Sequence, residues 1–180
     1  MDSDGTLARV TYLPGVVPHQ PIHRRAENVS MNALTRRGRS RWELGELLTS
    51  RELEPAVVEA ELNRLEGVGL IDDGALAETI VRTQFERKGL GRAAIVNELR
   101  RKHIDQSTID AALEHLGDDD EMRRAVQLAE RRASQLMGLD HNTAVRRLSG
   151  YLQRKGYASD TVRQAVREAL PKRSSGVSFS

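Results

Sequence analysis

The sequence predicts an all-α protein of tandem three-helix repeats stacked into an elongated, curved molecule. Aromatic residues make up only 3% of the 180 residues, so the core must consist of Leu, Val, Ile and Ala, a composition that favours helices here. Helix-capping signals are dense, and no run of alternating Val, Ile or Thr predicts a strand. A pattern of apolar residues also recurs three times along the chain. These three observations together define the class.

The recurrence is visible when the sequence is shifted against itself. A shift of 51 residues superimposes Leu44, Leu48, Leu53, Val58, Leu62 and Leu65 on Ile95, Leu99, Ile104, Ile109, Leu113 and Leu116. A further shift of 53 superimposes the first five of the second set on Leu148, Leu152, Tyr157, Val162 and Val166. Arg51, Lys102 and Lys155 also coincide, just before a turn between two helices. Three ungapped matches argue against chance periodicity of leucine.

Repeat 1 is expected at residues 26–71 and repeat 2 at 72–117. Helices are predicted at 27–37, 41–51 and 55–66 in the first, and at 73–88, 91–102 and 107–116 in the second. Ser40 and Glu43 form a capping-box pattern, and Pro55 suits a first helical position. Ser107 and Thr108 supply a later start. Gly38, Gly89 and Gly117 stand where helices stop.

Repeat 3 is expected at residues 118–170, with helices at 120–137, 142–155 and 159–170. Ser159 and Asp160 supply a helix start, and Gly156 a stop. Residues 1–25 contain Pro14, Pro18 and Pro21 without helical or strand periodicity, and we interpret them as an extended or disordered arm. Residues 171–180 form a second tail. One such unit is too small to be stable alone, so neighbouring repeats should stack.

Charge is sorted within each repeat. The formal net charge is only +2, with a pI near 9.2, but the ends of the first helices and the second helices are basic, whereas the third helices are acidic or neutral. Stacking could align the basic positions as a stripe. The candidate contact residues of this stripe are Arg36, Arg37, Arg39, Arg41, Arg87, Lys88, Arg92, Arg100, Arg101, Lys102, Arg131, Arg132, Arg146, Arg147, Arg154 and Lys155.

The motifs of enzymes and metal sites are absent from the sequence. Without Cys there is no thiol nucleophile, disulfide or Cys-based zinc site, and no phosphate-binding loop or catalytic triad motif is present. The acidic run from Asp118 to Glu121 is best explained as a linker and a helix start that favours anions. We expect no catalytic residue, cofactor or metal. No signal peptide or membrane span is recognisable, which predicts a cytoplasmic protein.

A helix–turn–helix reader of duplex DNA is the main alternative. Helices 91–102 and 107–116 have suitable lengths, but the second carries Asp105, Gln106, Asp110 and Glu114, whose carboxylates would face phosphates. Scarce aromatics also disfavour a base-stacking platform for single strands. Trp42 and Tyr157 are interpreted as packing residues in the core or between repeats, with Trp42 a weaker candidate for a partner contact. The remaining partners are backbone phosphate, an acidic protein surface, or both.

The second repeat resembles the RecX family of regulatory proteins. The resemblance rests on the turn Gly69-Leu70-Ile71-Asp72-Asp73, Ala77, the segment Arg87-Lys88-Gly89-Leu90-Gly91-Arg92, and Ile95, Glu98, Leu99 and Lys102. The helix from Ser40 to Leu48 and the segment around Leu152, Lys155-Gly156-Tyr157 and Val162 are similar to the family's first and third repeats. Coverage runs from about residue 26 to 170.

The resemblance implies tandem three-helix repeats and a modulator of the RecA recombinase. RecX proteins bind in the groove of the RecA–single-stranded DNA filament, lower ATP hydrolysis and strand exchange, and block filament growth or promote disassembly. They act in recombinational repair and its SOS regulation and bring no catalytic residues. The groove-facing residues would correspond to Arg87, Lys88 and Arg92 and to the Arg100–Lys102 cluster. We also expect a monomer with weak duplex binding; a general DNA-binding protein and a scaffold for another partner remain the alternatives.

Overall fold

The computed structural model describes residues 21–170 and confirms the all-α class. Within these residues the chain forms nine α-helices and no strand. The helices are α1 (Pro21–Leu34), α2 (Arg41–Thr49), α3 (Pro55–Gly67), α4 (Asp73–Glu86), α5 (Arg92–Arg101), α6 (Gln106–Leu113), α7 (Asp118–Ala133), α8 (His141–Arg154) and α9 (Ser159–Ala169). Residues 1–20 and 171–180, which hold most of the expected arm and tail, lie outside the described part.

The helices pack in three consecutive groups of three. Helices α1–α3 form repeat 1, α4–α6 repeat 2 and α7–α9 repeat 3, and each group has a separate apolar core. The residues aligned by the sequence shifts are the centres of these cores: Leu44, Ile95 and Leu148 are all 0% exposed. Because equivalent residues are buried in equivalent places, the predicted tandem three-helix repeats are confirmed.

Several helix starts follow the predicted chemistry. The Ser40 Oγ accepts the backbone N–H of Glu43 at 3.1 Å, and the Glu43 carboxylate accepts the backbone N–H of Ser40 at 3.2 Å, which completes the predicted capping box. The acidic run from Asp118 forms the first turn of α7, as expected for anions at a helix N-terminus. Helix α6 instead begins one residue earlier than predicted, because Asp105 is its N-cap and accepts the Thr108 N–H.

The largest differences from the predicted helix boundaries lie at the start of α1 and the end of α7, and most other boundaries differ by one to three residues. Helix α1 begins at Pro21, so residues 21–25 of the expected arm are helical. Proline is tolerated at the first helical position because its missing N–H would have no partner there, and Ala26, Ser30 and Ala33 form the buried stripe of the helix. Helix α7 ends at Ala133 and continues as a single 3₁₀ turn to Leu136, one residue short of the predicted end.

Candidate nucleic-acid interface

Neighbouring repeats join through a contact that occurs twice. At each junction, the turn that follows the second helix of one repeat meets the N-terminus of the second helix of the preceding repeat. At the first junction the Ser40 hydroxyl donates to the Lys102 carbonyl at 2.6 Å, and the Trp42 ring stacks on His103 with centroids 3.6 Å apart. The interpretation of Trp42 as an inter-repeat packing residue is confirmed.

The second junction is made by backbone groups. Gly91, which is equivalent to Ser40, donates its N–H to the Lys155 carbonyl at 2.8 Å, and the Ala93 N–H donates to the Gly156 carbonyl at 3.3 Å. The buried Tyr157 hydroxyl donates to the Gly89 carbonyl at 3.2 Å, which confirms a packing role for this residue as well. Repeats 2 and 3 therefore approach more closely than repeats 1 and 2.

Carboxylates of the following repeat cap the same two helices. The Arg41 backbone N–H, at the start of α2, donates to Asp73 Oδ1 of repeat 2 at 2.9 Å. The equivalent Arg92 N–H, at the start of α5, donates to Glu121 Oε1 of repeat 3 at 2.8 Å. Each carboxylate satisfies a backbone donor that the helix leaves unpaired, so the acidic starts of α4 and α7 help to hold the stack.

The sixteen candidate basic residues divide by exposure. Five are half-buried: Arg39, Arg41, Arg92, Lys102 and Lys155. Arg41 binds Glu59 and Glu66 within repeat 1, Arg92 donates to the Leu116 carbonyl, and Lys102 binds Glu43 across the first junction at 3.0 Å. These three side chains support the fold. A reversal that includes Lys102 would therefore disturb the junction together with any partner contact.

The other eleven candidates are exposed. They are Arg36, Arg37, Arg87, Lys88, Arg100, Arg101, Arg131, Arg132, Arg146, Arg147 and Arg154. Arg100 donates to Gln106 and Arg101 to Glu98, both close to the end of α5. The described contacts of this pair lie within repeat 2.

A carboxylate pairs with two of the basic residues at the first junction. Glu43 lies 3.0 Å from Arg37 and 3.0 Å from Lys102. Burial on its own would raise the pKa of the Glu43 carboxyl, but hydrogen bonds from Lys102, the Ser40 N–H and Arg37 outweigh burial, so its pKa lies below the ordinary value. The junction thus holds a charged carboxylate between two cations at neutral pH, which lowers its attraction for an anionic partner.

We expect Glu43→Gln to lower the free energy of unfolding by about 1 to 2 kcal/mol at pH 7, because charge-assisted hydrogen bonds are lost. A carboxyl whose folded pKa is depressed stabilises the fold above its unfolded pKa, and this contribution disappears as the pH falls through the folded value. The difference between Glu43→Gln and the original chain should therefore shrink below pH 4.5. Urea unfolding at pH 7, 5 and 3 measures it; a difference that is constant with pH would contradict the ion-pair assignment.

The second junction lacks this carboxylate. Ala94 occupies the position of Glu43, and the Lys155 ammonium donates instead to the Lys88 carbonyl at 2.6 Å. This bond places Lys155 beside the exposed turn of Arg87 and Lys88. Lys155 consequently keeps its charge uncompensated by a neighbouring carboxylate, whereas Arg92 at the same junction pairs with Asp118 and Glu121.

Tyr151 lies at the centre of the same surface. The Arg132 guanidinium carbon is 5.6 Å from the Tyr151 ring centroid, and the Lys155 nitrogen is 5.9 Å from it, both at cation–π distance. Arg147 and Arg154 lie four residues before and three residues after Tyr151 on α8, so they share its helix face. We call Arg87, Lys88, Arg132, Arg147, Arg154 and Lys155 the second-junction basic surface. Within residues 21–170, no ion pair joins these six residues to a carboxylate.

Tyr151 was not among the residues predicted from the sequence, although one signal for it was available. An aromatic residue with Arg at i−4 and i+3 on a helix indicates a ring flanked by cations. Chemically, the surface offers guanidinium and ammonium donors at fixed spacing, which suits a phosphate backbone. In the part of the chain that the structure describes, no group of His, Asp and Glu could hold a metal ion, and no helix is long and apolar enough to cross a membrane.

Comparison with known proteins places the chain in a family. The model of the second three-helix domain of RecX matches residues 72–113, and that of the third three-helix domain matches residues 118–166. The chain is 37% identical to the regulatory protein RecX of Streptomyces coelicolor, over 87% of this chain and 82% of that protein. It is 35% identical to the regulatory protein RecX of Thermobifida fusca, over 92% of this chain and 89% of that protein.

Solved structures agree in fold. The crystal structure of RecX from Lactobacillus salivarius superimposes with a TM-score of 0.74 at 25% identity, and covers 82% of this chain and 96% of that one. The three-helix architecture, the two domain matches and the level of identity over most of the chain all point the same way: the chain belongs to the RecX family.

Proposed function

We propose that this chain is a non-enzymatic regulator that binds the RecA–single-stranded DNA filament and inhibits its ATPase, strand exchange and growth. It would thereby modulate recombinational repair and the SOS response in the cytoplasm. Membership of the RecX family supports RecA as the partner. The observation that carries the mechanism is the second-junction basic surface, because uncompensated cations at fixed spacing bind DNA phosphates.

The distribution of charge favours a composite partner over naked DNA. A uniformly cationic protein would coat any DNA, but here the acidic third helices and the Glu43 pairs confine strong attraction to one junction. A stack of repeats that presents both signs of charge can contact protein and DNA phosphate together. Several modest contacts would then add up only on a filament, where both surfaces are present.

Recognition of duplex DNA by α6 is disfavoured. Hydrogen bonds from Ser107 and Thr108 hold the pKa of the exposed Asp105 carboxyl far below its usual range. The N-terminal end of α6, which a helix–turn–helix protein would place in the major groove, therefore carries a permanent negative charge. Weak duplex binding by the basic surface fits the proposal, and tight duplex binding does not.

A monomer is also part of the proposal, and the turn that follows α2 in repeat 1 supports it. The carbonyls of Lys102 and Lys155 accept hydrogen bonds from the preceding repeat. Among the described residues, the equivalent Arg51 carbonyl accepts from the Arg25 side chain at 3.0 Å. This acceptor is therefore paired within the chain and needs no second copy to satisfy it. Equilibrium sedimentation should give the mass of one chain.

Binding measurements on three substrates test the proposal. Anisotropy titrations would compare labelled single-stranded DNA, the same DNA coated with RecA and a non-hydrolysable nucleotide, and duplex DNA, each at 50 and 200 mM salt. We expect the tightest binding to the coated strand. Duplex binding as tight as filament binding, with a steep salt dependence, would favour the general DNA-binding alternative; binding to none of the three would favour a scaffold for another partner.

A further inference from the structure

A cleft of about 750 Å³ opens at the second junction, between α5, the start of α7 and the start of α9. Its apolar lining includes Ala93, Val96, Met122 and Ala158, with Gly156 at the junction itself. None of these residues belongs to the second-junction basic surface. The cleft is therefore a separate feature of the same junction.

The first junction has an equivalent cleft that is partly filled. It is lined by Trp42 and His103 and measures about 450 Å³. The two rings stack at 3.6 Å and occupy the junction. In the second cleft, Ala93 stands at the position of Trp42 and Gly156 at the position of His103. Both rings are thus replaced by the smallest residues, which accounts for the larger opening.

Negative charge predominates around the second cleft. Four carboxylates line it, from Asp118, Asp119, Glu121 and Asp160, against two guanidinium groups, from Arg92 and Arg100. Arg92 is already engaged by Asp118, Glu121 and the Leu116 carbonyl, and Asp160 is paired with Arg163. Asp119, by contrast, is exposed and has no ion pair in the described part of the chain. An acidic cleft with an apolar floor repels DNA phosphate and attracts a cation that carries apolar surface.

We propose that this cleft docks a basic protein segment of the filament, which inserts an aromatic side chain beside Ala93 and places a flanking lysine or arginine against Asp119. The inserted ring takes the place that the Trp42 ring occupies at the first junction. The proposal rests on the proposed function, since it assigns the protein contact to the cleft and the DNA contact to the basic surface. The second junction then contacts both the protein and the DNA of the filament, each through a different set of residues.

Filling the cleft from within tests the proposal. Ala93→Trp places an indole where the equivalent position of repeat 1 already has one, and Ala93→Ser is the matched control that leaves the cleft open. We expect the concentration of Ala93→Trp that half-inhibits the RecA ATPase on single-stranded DNA to be at least tenfold higher than that of the unchanged protein. Its affinity for single-stranded DNA alone and its helical content by circular dichroism should equal those of Ala93→Ser.

A second variant, which changes charge and adds no ring, tests the docking site even if the indole of Ala93→Trp disturbs the junction. Asp119→Lys makes the protein more basic, so general attraction to DNA should rise while inhibition of the ATPase falls at least fivefold. Inhibition by Ala93→Trp and Asp119→Lys equal to that of the unchanged protein would overturn the docking site and leave the proposed function standing. An unchanged protein that fails to inhibit RecA at all would reject the proposed function, and the docking site with it.

Discussion

Gly156→Ala is expected to lower the free energy of unfolding by about 3 kcal/mol, a large effect for the addition of one methyl group. Gly156 has a φ of +87°, and a Cβ there would lie 2.5 Å from the Cβ and from the backbone N of Ala94. The neighbouring atom is backbone of α5, which cannot move without breaking the bonds of Gly91 and Ala93 to repeat 3. Backbone strain at a left-handed φ and a steric clash between repeats 2 and 3 both contribute to this loss of stability.

Gly69→Ala separates these two causes. Gly69 has a similar φ of +71°, but a Cβ there meets nothing within 4 Å. The substitution should cost only the left-handed strain, about 1 to 2 kcal/mol. Denaturant unfolding of both variants measures the difference. Equal losses for Gly156→Ala and Gly69→Ala would show that the close approach of repeats 2 and 3 contributes nothing.

Reversal of three charges on the second-junction basic surface should have the largest functional effect. Lys88→Glu, Arg147→Glu and Arg154→Glu change exposed side chains that form no ion pair in the described residues, so the fold should persist. Each lost phosphate contact removes about 0.7 from the slope of log affinity against log salt for single strands. The triple variant should therefore bind single-stranded DNA roughly 30- to 100-fold more weakly near 50 mM salt, with a slope reduced by about 2.

A control with the same net charge tests whether position matters. Arg24, Arg82 and Arg167 are exposed and lie outside the second-junction basic surface. Their joint replacement by Glu should weaken binding by less than about threefold, through the general field alone. If this control loses as much affinity as the triple variant, net charge and not the second junction determines binding.

The cores of the repeats could be predicted from the sequence because apolar residues at helical spacing have only one face to bury. Leu44, Ile95 and Leu148 were aligned by shifts alone and are fully buried. The capping box at Ser40 was equally predictable, since its chemistry is confined to four residues. The start of α1 was missed because three prolines suggested an irregular arm, whereas Pro21 occupies the one helical position that tolerates it.

The grouping of the basic residues could not be predicted, because it depends on how the repeats are joined. Lys102 and Lys155 are equivalent in sequence, but Lys102 meets Glu43 and Lys155 meets the Lys88 carbonyl. The difference follows from Ala94, which replaces a carboxylate at the facing position of the preceding repeat. Such a pairing appears only when the junction is known, and it distinguishes the first junction, where Glu43 pairs with the cations, from the second-junction basic surface.

The RecA ATPase on single-stranded DNA tests the central claim most directly. The unchanged protein, the triple variant of Lys88, Arg147 and Arg154, and the triple control of Arg24, Arg82 and Arg167 would each be titrated into a fixed amount of RecA. We expect the unchanged protein and the control to abolish ATP hydrolysis at well below one molecule per RecA subunit, and the triple variant to require a large excess. ATP hydrolysis that continues unchanged in the presence of excess unchanged protein would contradict the claim.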